Sequence, residues 1–546
     1  MLRKPVSGRA AESVPVLVVG GSLVGLSTSV FLGRLGIEHM LVERHAATST
    51  HPRGRGNNVR TMEIFRTAGL EQRVREAAFA LAGNDGVLQV DTLTGDRRRW
   101  IIQDISAGMD VSTVSSSNWC LCSQNDLEPV LLERARQGGD IRFGTELLSF
   151  TQDAGGVRAD IMSRESGETY TVNAGFLVAA DGPRSPVRTR LGISQSGPGA
   201  LFHNISVTFR SKALKEYVGS KRFIVCYFTD PEGEGALLPV DNEERWVVHI
   251  PWFPDRGESL EDFSNERCAT HIRAAVGVPD VDVEITGKAP WHASKLVADS
   301  YREGRVFLAG DSAHEMPPTG AFGSNTGIQD AHNLAWKLAA VLRGWAGPRL
   351  LDTYECERRP VAVATSTRAS QQAVEEQHPG FRPSGRNDDP ADLMTVALCY
   401  RYASDAVVGG SPEQPIVPED FELGGEPGSR APHMWVRRDG ARISTLDLYE
   451  RSFVLLAGPG GRGWRRAAQL AAEELGVPVE AYLVGDGPDH DLAPEPDADW
   501  AALHGTAGDG AVLVRPDGFV AWRAHAHTPS ADRELTDVLR TVLCRD

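Results

Sequence analysis

The chain has 546 residues, 41% hydrophobic and 24% charged, so it is an ordinary globular composition too long for one core and divides into several domains. A formal charge of −16 excludes nucleic acid and an anionic membrane surface as natural partners, and no apolar run reaches the ~18 residues needed to span a bilayer. Seven cysteines at irregular spacing describe a reducing compartment rather than a disulfide framework, and Cys120-x-Cys122 has no second pair to make a zinc site. Residues 1–13 carry early basic residues without an apolar segment behind them. They read as a disordered tail of a cytoplasmic protein rather than a secretory signal.

Residues 15–19 form a continuous apolar run, the pattern of a strand buried on both faces. Gly20-Gly21-Ser22-Leu23-Val24-Gly25 follows, then a helix over about 26–35 and a second strand over 37–42 that ends on Glu43. Here Gly20 permits the tight turn, position 22 lets the backbone approach a pyrophosphate, and Gly25 lets helix pack on strand. Ser22 stands where the dinucleotide fingerprint has glycine and is small enough to keep the turn. Glu43 is placed to accept from ribose hydroxyls, which suits FAD or NAD and disfavours a 2′-phosphate.

A third apolar strand, 176–180, runs into Asp181-Gly182-Pro183-Arg184-Ser185-Pro186-Val187-Arg188. Between 200 and 285 short β-type runs recur at 205–209, 223–228, 235–239 and 246–252. Alternation puts Phe223, Val225 and Tyr227 on one face and Ile224, Cys226 and Phe228 on the other. Next, residues 306–308 form a strand ending in Gly310-Asp311, followed by a Pro-Pro-Thr-Gly turn, a small-residue loop and a long apolar-periodic helix. A carboxylate at a strand's carboxyl end suits a ribitol hydroxyl, and a glycine-rich loop feeding a helix offers N–H groups to an anion. Residues 368–432, rich in Pro, Gly and charge, begin as helix and end as a linker at 401–432. Strands at 451–456, 479–484 and 510–514 surround a helix at 464–475, and Pro516-Asp517-Gly518 between two apolar runs signals a hairpin.

The three strand-end motifs, in this order and separation, resemble the FAD-dependent aromatic hydroxylases, the single-component flavoprotein monooxygenases of the p-hydroxybenzoate hydroxylase type. Smaller matches lie at Arg53, Asn58 and Arg60 to Glu63, at Gln124, and at Asp352 to Pro360. Within that family, the 317–338 segment and the long C-terminal extension look most similar to aromatic polyketide hydroxylases. The resemblance implies an α/β fold: a Rossmann-like FAD-binding domain (14–190 and 290–400), a β-sheet substrate domain (191–289) and a thioredoxin-like C-terminal domain (433–546). The last lacks Cys-x-x-Cys, so its role is structural, with a homodimer contact as one use.

It also implies a FAD site made of Gly20, Ser22, Gly25, Glu43, Arg44, Arg53, Gln124, Asp181, Gly182, Gly310, Asp311, Pro318, Gly320, Gly323, Ser324 and Asn325. Many relatives have Gly-Gly-Gln-Gly-Met-Asn where this chain has Gly320-Ala321-Phe322-Gly323-Ser324-Asn325. Phe322 and Ser324 are therefore departures beside the flavin ring. Tyr227, Trp246, His249 and Phe322 are the substrate candidates; no single residue reads as a catalytic base. The implied cycle consumes NADPH or NADH and O2, forms a C4a-hydroperoxyflavin and transfers oxygen to a polycyclic aromatic phenol or quinone. Baeyer–Villiger insertion or epoxidation by the same chemistry, and a non-catalytic flavin-binding partner, stay open at this point. A halogenase is disfavoured because Trp-x-Trp-x-Ile-Pro is absent, and a disulfide reductase because no Cys-x₄-Cys follows the first motif.

Overall fold

The computed structural model of the chain describes residues 11–105, 111–369 and 393–545. Most of the expected N-terminal tail and the start of the Pro/Gly-rich stretch lie outside the described residues. Strand β1 (Glu12–Val19) leads into helix α1 (Leu23–Arg34) and strand β2 (His39–Glu43), and helix α2 (Val59–Thr67) follows the turn at 51–58. Strands β3 (Gly86–Val90) and β4 (Arg98–Ile102) precede helix α3 (Gln124–Ala135) and strand β5 (Asp140–Phe143). A hairpin of β6 (Thr145–Gln152) and β7 (Val157–Ser163) then pairs onto β8 (Thr169–Ala179). Next come β9 (Gln195–Arg210), β10 (Phe223–Phe228), β11 (Gly235–Pro239), β12 (Arg245–Trp252), helix α4 (Asn265–Val276) and β13 (Glu284–Ala298). The chain re-enters its first layer at β14 (Val306–Leu308) and continues into helices α5 (Phe322–Leu342) and α6 (Thr353–Ala369).

Five strands of the first sheet are parallel, in the order β14-β8-β1-β2-β5. Their apolar runs are buried on both faces, as a parallel sheet covered by helices requires. The second sheet runs β13-β9-β12-β11-β10-β3-β4. The strands β3 and β4 come from before residue 190, so the expected boundary there does not separate the two sheets. The chain order hid this, because β3 pairs with β10 across more than a hundred residues.

In β10 the expected alternation fails at one residue. Phe223 is buried in the same cluster as Cys226 and Phe228, while Tyr227 lies in another with Val87 and Ala236. The register shifts between Phe223 and Val225 against β3, and one extra residue turns Phe223 to the opposite face.

The C-terminal unit has β15 (Phe453–Ala457), α7 (Arg462–Leu475), β16 (Val479–Leu483), β17 (Ala511–Val514), β18 (Val520–Ala524) and α8 (Ala531–Val542). Its sheet order is β16-β15-β17-β18, with β15 and β16 parallel and the rest antiparallel, a thioredoxin-like arrangement. Phe453 meets Trp336 of α5 edge-on at 5.9 Å, so its core is continuous with that of the first layer.

Residues 401–432 are not a loose linker. Tyr402 stacks on Phe519 at 4.1 Å, and Ala406, Arg430 and Ala431 are fully buried. Pro and Gly there set an irregular backbone, but its rings and one guanidinium fill the seam between α5, α6 and the C-terminal unit.

A buried ionic network crosses that seam. Glu357 of α6 accepts from Lys337 of α5 at 2.7 Å and from both terminal nitrogens of Arg515 at 2.6 and 2.9 Å. Asp517 pairs with Arg515 at 2.6 Å and accepts from Asn333 at 3.0 Å. Arg60 of α2 reaches the Asp517 carbonyl at 2.6 Å and Glu63 at 3.1 Å, and Arg430 closes on Glu63. Burial alone would raise the Glu357 carboxyl, yet Arg515 and Lys337 hold it far below the usual carboxylate range. No helix among the described residues is long and apolar enough to cross a membrane.

Candidate functional site

The three motifs begin at one level. Val19 pairs with Ala179 and Ala179 with Leu308, so β1, β8 and β14 release their loops side by side at their carboxyl ends. That edge of a parallel sheet is where a nucleotide is held.

At the first motif Gly20 has φ +108, and a Cβ there would lie 2.1 Å from the Ala180 carbonyl oxygen. A Cβ on Gly25 would lie 1.8 Å from the Gly20 carbonyl. Both positions exclude any side chain, so α1 starts tight against the turn. Ser22 occupies the N-cap of α1 but does not cap it. Its hydroxyl instead donates to Glu128 at 2.5 Å and accepts from Gln124 at 2.9 Å. The serine that departs from the fingerprint is thus drawn sideways, away from the first N–H groups of the helix. Glu43 accepts from the Gly21 amide at 2.7 Å and from the His45 amide at 2.7 Å. Arg44 beside it is exposed.

At the second motif Asp181 accepts from the Val187 amide at 3.2 Å through one oxygen, and its other oxygen is buried with no hydrogen-bond partner. Burial raises its carboxyl above the usual range. Gly182 takes φ +84. Arg188 donates to the Ser312 carbonyl at 2.9 Å and ties this motif to the third.

At the third motif Gly310 packs on α1, where a Cβ would meet Val24 at 2.6 Å. Asp311 is reachable by water yet so far inside the protein that burial raises its carboxyl, the mark of a side chain facing a cleft. The exposed Arg53 lies near enough for its charge to act on Asp311. The loop at 318–325 folds back on the 53–58 segment. Asn325 donates to the Gly56 carbonyl at 2.8 Å and accepts from the Asn58 amide at 3.0 Å. Pro318 is exposed, and Gly320, Gly323 and Ser324 are half-buried along the same loop.

Phe322 does not face this cleft. It is 2% exposed and packs with Val59, Val361 and Met394, so it anchors the loop from behind. The departure with a backbone consequence is Ala321, a non-glycine at φ +56 where many relatives have glycine.

The substrate candidates separate by strand parity. Trp246 is 1% exposed in the outer core of the second sheet and donates to the Ser211 carbonyl at 3.1 Å, so it is a core residue. His249, three residues on, lies on the opposite face, stacked on Trp291 at 5.2 Å. Tyr227 belongs to the small cluster away from the outer core. Alternation along β12 already places Trp246 and His249 on different faces.

Several residues of the site escaped the reading of the sequence. Glu128, 1% exposed, accepts from Ser22, Gln124 and the Ser49 amide; its i,i+4 spacing from Gln124 was the available signal. Asp330 accepts from His314 at 2.7 Å, Arg358 at 2.7 Å and the Gly310 amide at 3.2 Å, and so braces the third motif from α5. Burial opposes its charge, but Arg358 and His314 hold its carboxyl below the usual range. Arg55 donates to the Ile224 carbonyl at 3.1 Å, linking the 51–58 turn to the second sheet; burial draws its guanidinium down to about 10.

The two glycines without room for a Cβ, the orphaned Asp181 oxygen and the cleft-facing Asp311 fit an extended phosphorylated cofactor with polyol hydroxyls. The sequence matches the FAD binding domain family over residues 13–369 and the aromatic-ring hydroxylase C-terminal family over 425–545. It is 64% identical to a provisionally named polyketide hydroxylase of Streptomyces halstedii over 98% of each chain. It is 42% identical to tetracenomycin A2 monooxygenase-dioxygenase of Streptomyces glaucescens, again over 98% of each. The fold superposes on aklavinone-11 hydroxylase, solved with FAD and aklavinone, with a TM-score of 0.89 and 37% identity over 98% of this chain and 100% of that one.

Proposed function

The chain belongs to the FAD-dependent aromatic-ring hydroxylases, and from that premise we propose how its residues serve the reaction. It is a FAD-dependent monooxygenase of aromatic, polyketide-type substrates. The substrate is a polycyclic phenol or quinone, the electron donor is NADPH or NADH, and dioxygen supplies the inserted oxygen. The observation that carries it is the shared level of the three motifs at the ends of β1, β8 and β14.

Gly20, Gly25 and the amides at the start of α1 would receive the pyrophosphate, and Glu43 the adenosine ribose. The third-motif carboxylate, Asp311, would hold the ribityl chain, with the 320–325 loop along the ring system. When bound, FAD supplies the activation of dioxygen by electrons from the nicotinamide. The chain's own tasks are to orient the aromatic ring and to keep water away from the reacting centre. Three features carry the closing task. Asn325 staples the ring loop to the 53–58 turn, Arg55 ties that turn to the second sheet, and Asp330 fixes the Gly310 turn.

The polar residues on the inner face of the second sheet then set which edge of the substrate enters. The proposal is tested by NADPH consumption of the purified, FAD-loaded protein across a panel of polyketide aromatics. Stimulation by at least one of them, with hydroxylated product in step, is expected. Consumption that no aromatic alters, with no product, would reduce the protein to a flavin-binding partner.

A further inference from the structure

On β9 the side chains alternate between two destinations. Ile205, Val207 and Phe209 enter the apolar core of the second sheet. Asn204 and Ser206 therefore point to the other face, the side of the 51–58 turn, where His51 lies against the Ser206 backbone. Asn204 is 0% exposed and neither its amide oxygen nor its amide nitrogen has a hydrogen-bond partner; Ser206 is 3% exposed with a hydroxyl equally without one. Such groups are strongly disfavoured in a folded chain unless something else completes them. Their surroundings describe what that is. Asn204 pairs across the sheet with Trp291, Ser206 pairs with His249, and the Trp291 and His249 rings are stacked. A flat aromatic shelf thus lies beside one amide and one hydroxyl.

We infer that Asn204 and Ser206 are the specificity-determining residues for substrate, binding an edge of a polycyclic aromatic that carries a hydroxyl next to a carbonyl. The hydroxyl donates to the Asn204 amide oxygen, and the carbonyl accepts from the Asn204 amide nitrogen or the Ser206 hydroxyl. An amide is suited to this because it offers a donor and an acceptor side by side. A substrate lacking the hydroxyl leaves the amide oxygen buried and unmet, which is how a site rejects an analogue by a large factor. This rests on the reading of the substrate as a polycyclic phenol or quinone.

The test uses the FAD-loaded full chain and two probes: alizarin, which carries one hydroxyl next to a ring carbonyl and a second hydroxyl beside the first, and anthraquinone, which has no hydroxyl. Dissociation constants come from the change in flavin absorbance. In the unmodified protein alizarin binds the tighter of the two. Asn204→Leu weakens alizarin at least about tenfold and changes anthraquinone by less than about threefold. The same variant, free of probe, melts at the same temperature or higher, because an isosteric apolar group replaces an amide with no partner. Ser206→Ala shifts the preference in the same direction by a smaller factor. Equal loss of both probes, or a lower melting temperature with the preference for alizarin retained, overturns the inference and makes Asn204 a structural residue. If the unmodified protein binds neither probe, the polycyclic reading itself falls and takes this inference with it.

Discussion

Glu357 is 1% exposed and Asn204 is 0% exposed, yet the two live in opposite circumstances. Glu357 is gripped by Lys337, Arg515, Asn333 and Ser404, all within 2.9 Å. Asn204 touches no polar partner. The seam between α5, α6 and the C-terminal unit is a place where the chain completes its own charges. On the inner face of the second sheet it leaves polar groups for something else to complete. A buried ion pair contributes little net stability when intact and costs a great deal when half of it is removed, whereas an unmet amide costs something all the time. The contrast separates polar residues that hold the molecule together from those that wait for a ligand.

The contrast is broken most severely at Glu357. Glu357→Ala strands Lys337 in the interior and leaves Arg515 with Asp517 alone, and a loss of about 3–5 kcal/mol is expected in denaturant unfolding of the FAD-loaded protein. A loss under about 1 kcal/mol would show that the seam is not an ionic lock. At the cleft, Asp311→Ala is expected to weaken FAD by at least about tenfold, read from the flavin retained after dialysis, with little change in the fold. A protein that stays fully yellow would remove Asp311 from the cofactor site.

The two faces of the second sheet give the next pair. Trp246→Phe leaves a gap in the outer core and is expected to cost about 1–3 kcal/mol of stability without moving KM. Tyr227→Phe is expected to do the reverse, raising KM for an aromatic substrate while stability holds. If Trp246→Phe changes KM and Tyr227→Phe does not, the faces have been assigned backwards.

Glu63, Asp330, Glu357 and Asp517 all have carboxyls held below their ordinary range in the folded chain, in each case by buried cations that outweigh the burial itself. Unfolded, these groups take up protons near pH ~4. Folded, they do so only at lower pH. Their stabilisation is therefore complete above about pH 4.5 and is lost as the pH falls through the folded values. Glu357→Gln should flatten that acid limb; an unchanged slope would mean the network does not govern it. The smallest effect is expected at Ala321, whose left-handed backbone at φ +56 disfavours a side chain. Ala321→Gly should gain about 0.5–1 kcal/mol, and a loss would mean that its methyl group is needed against Gly56.

Much of this was legible in the sequence because the nucleotide-binding half is written in local terms. Apolar runs, glycines at fixed offsets and terminal acids mark β1, β2, β8 and β14, and the structure places all four side by side. What could not be read depends on pairing between distant segments. The bulge that turns Phe223 is set by β3, and the membership of β3 and β4 in the second sheet has no signature in their own residues. Residues 401–432 looked like a linker because Pro and Gly dictate irregular backbone, but irregular backbone is not loose backbone when Tyr402 and Arg430 are buried. The sequence neighbours of Phe322 point to the ring, whereas its side chain turns back into a core shared with α2 and α6. Asn204 and Ser206 carry no such mark in the sequence, because a polar residue in an alternating strand ordinarily faces water.

We propose that bound FAD serves this chain to insert oxygen from dioxygen into an aromatic polyketide ring held on the inner face of the second sheet. The direct measurement is the mass of the product formed from a stimulating aromatic under isotopically heavy dioxygen, with NADPH supplied. An intact ring system carrying one added hydroxyl, its oxygen heavy, is expected. A ring-opened or lactone product, or an added oxygen that derives from water, would contradict it.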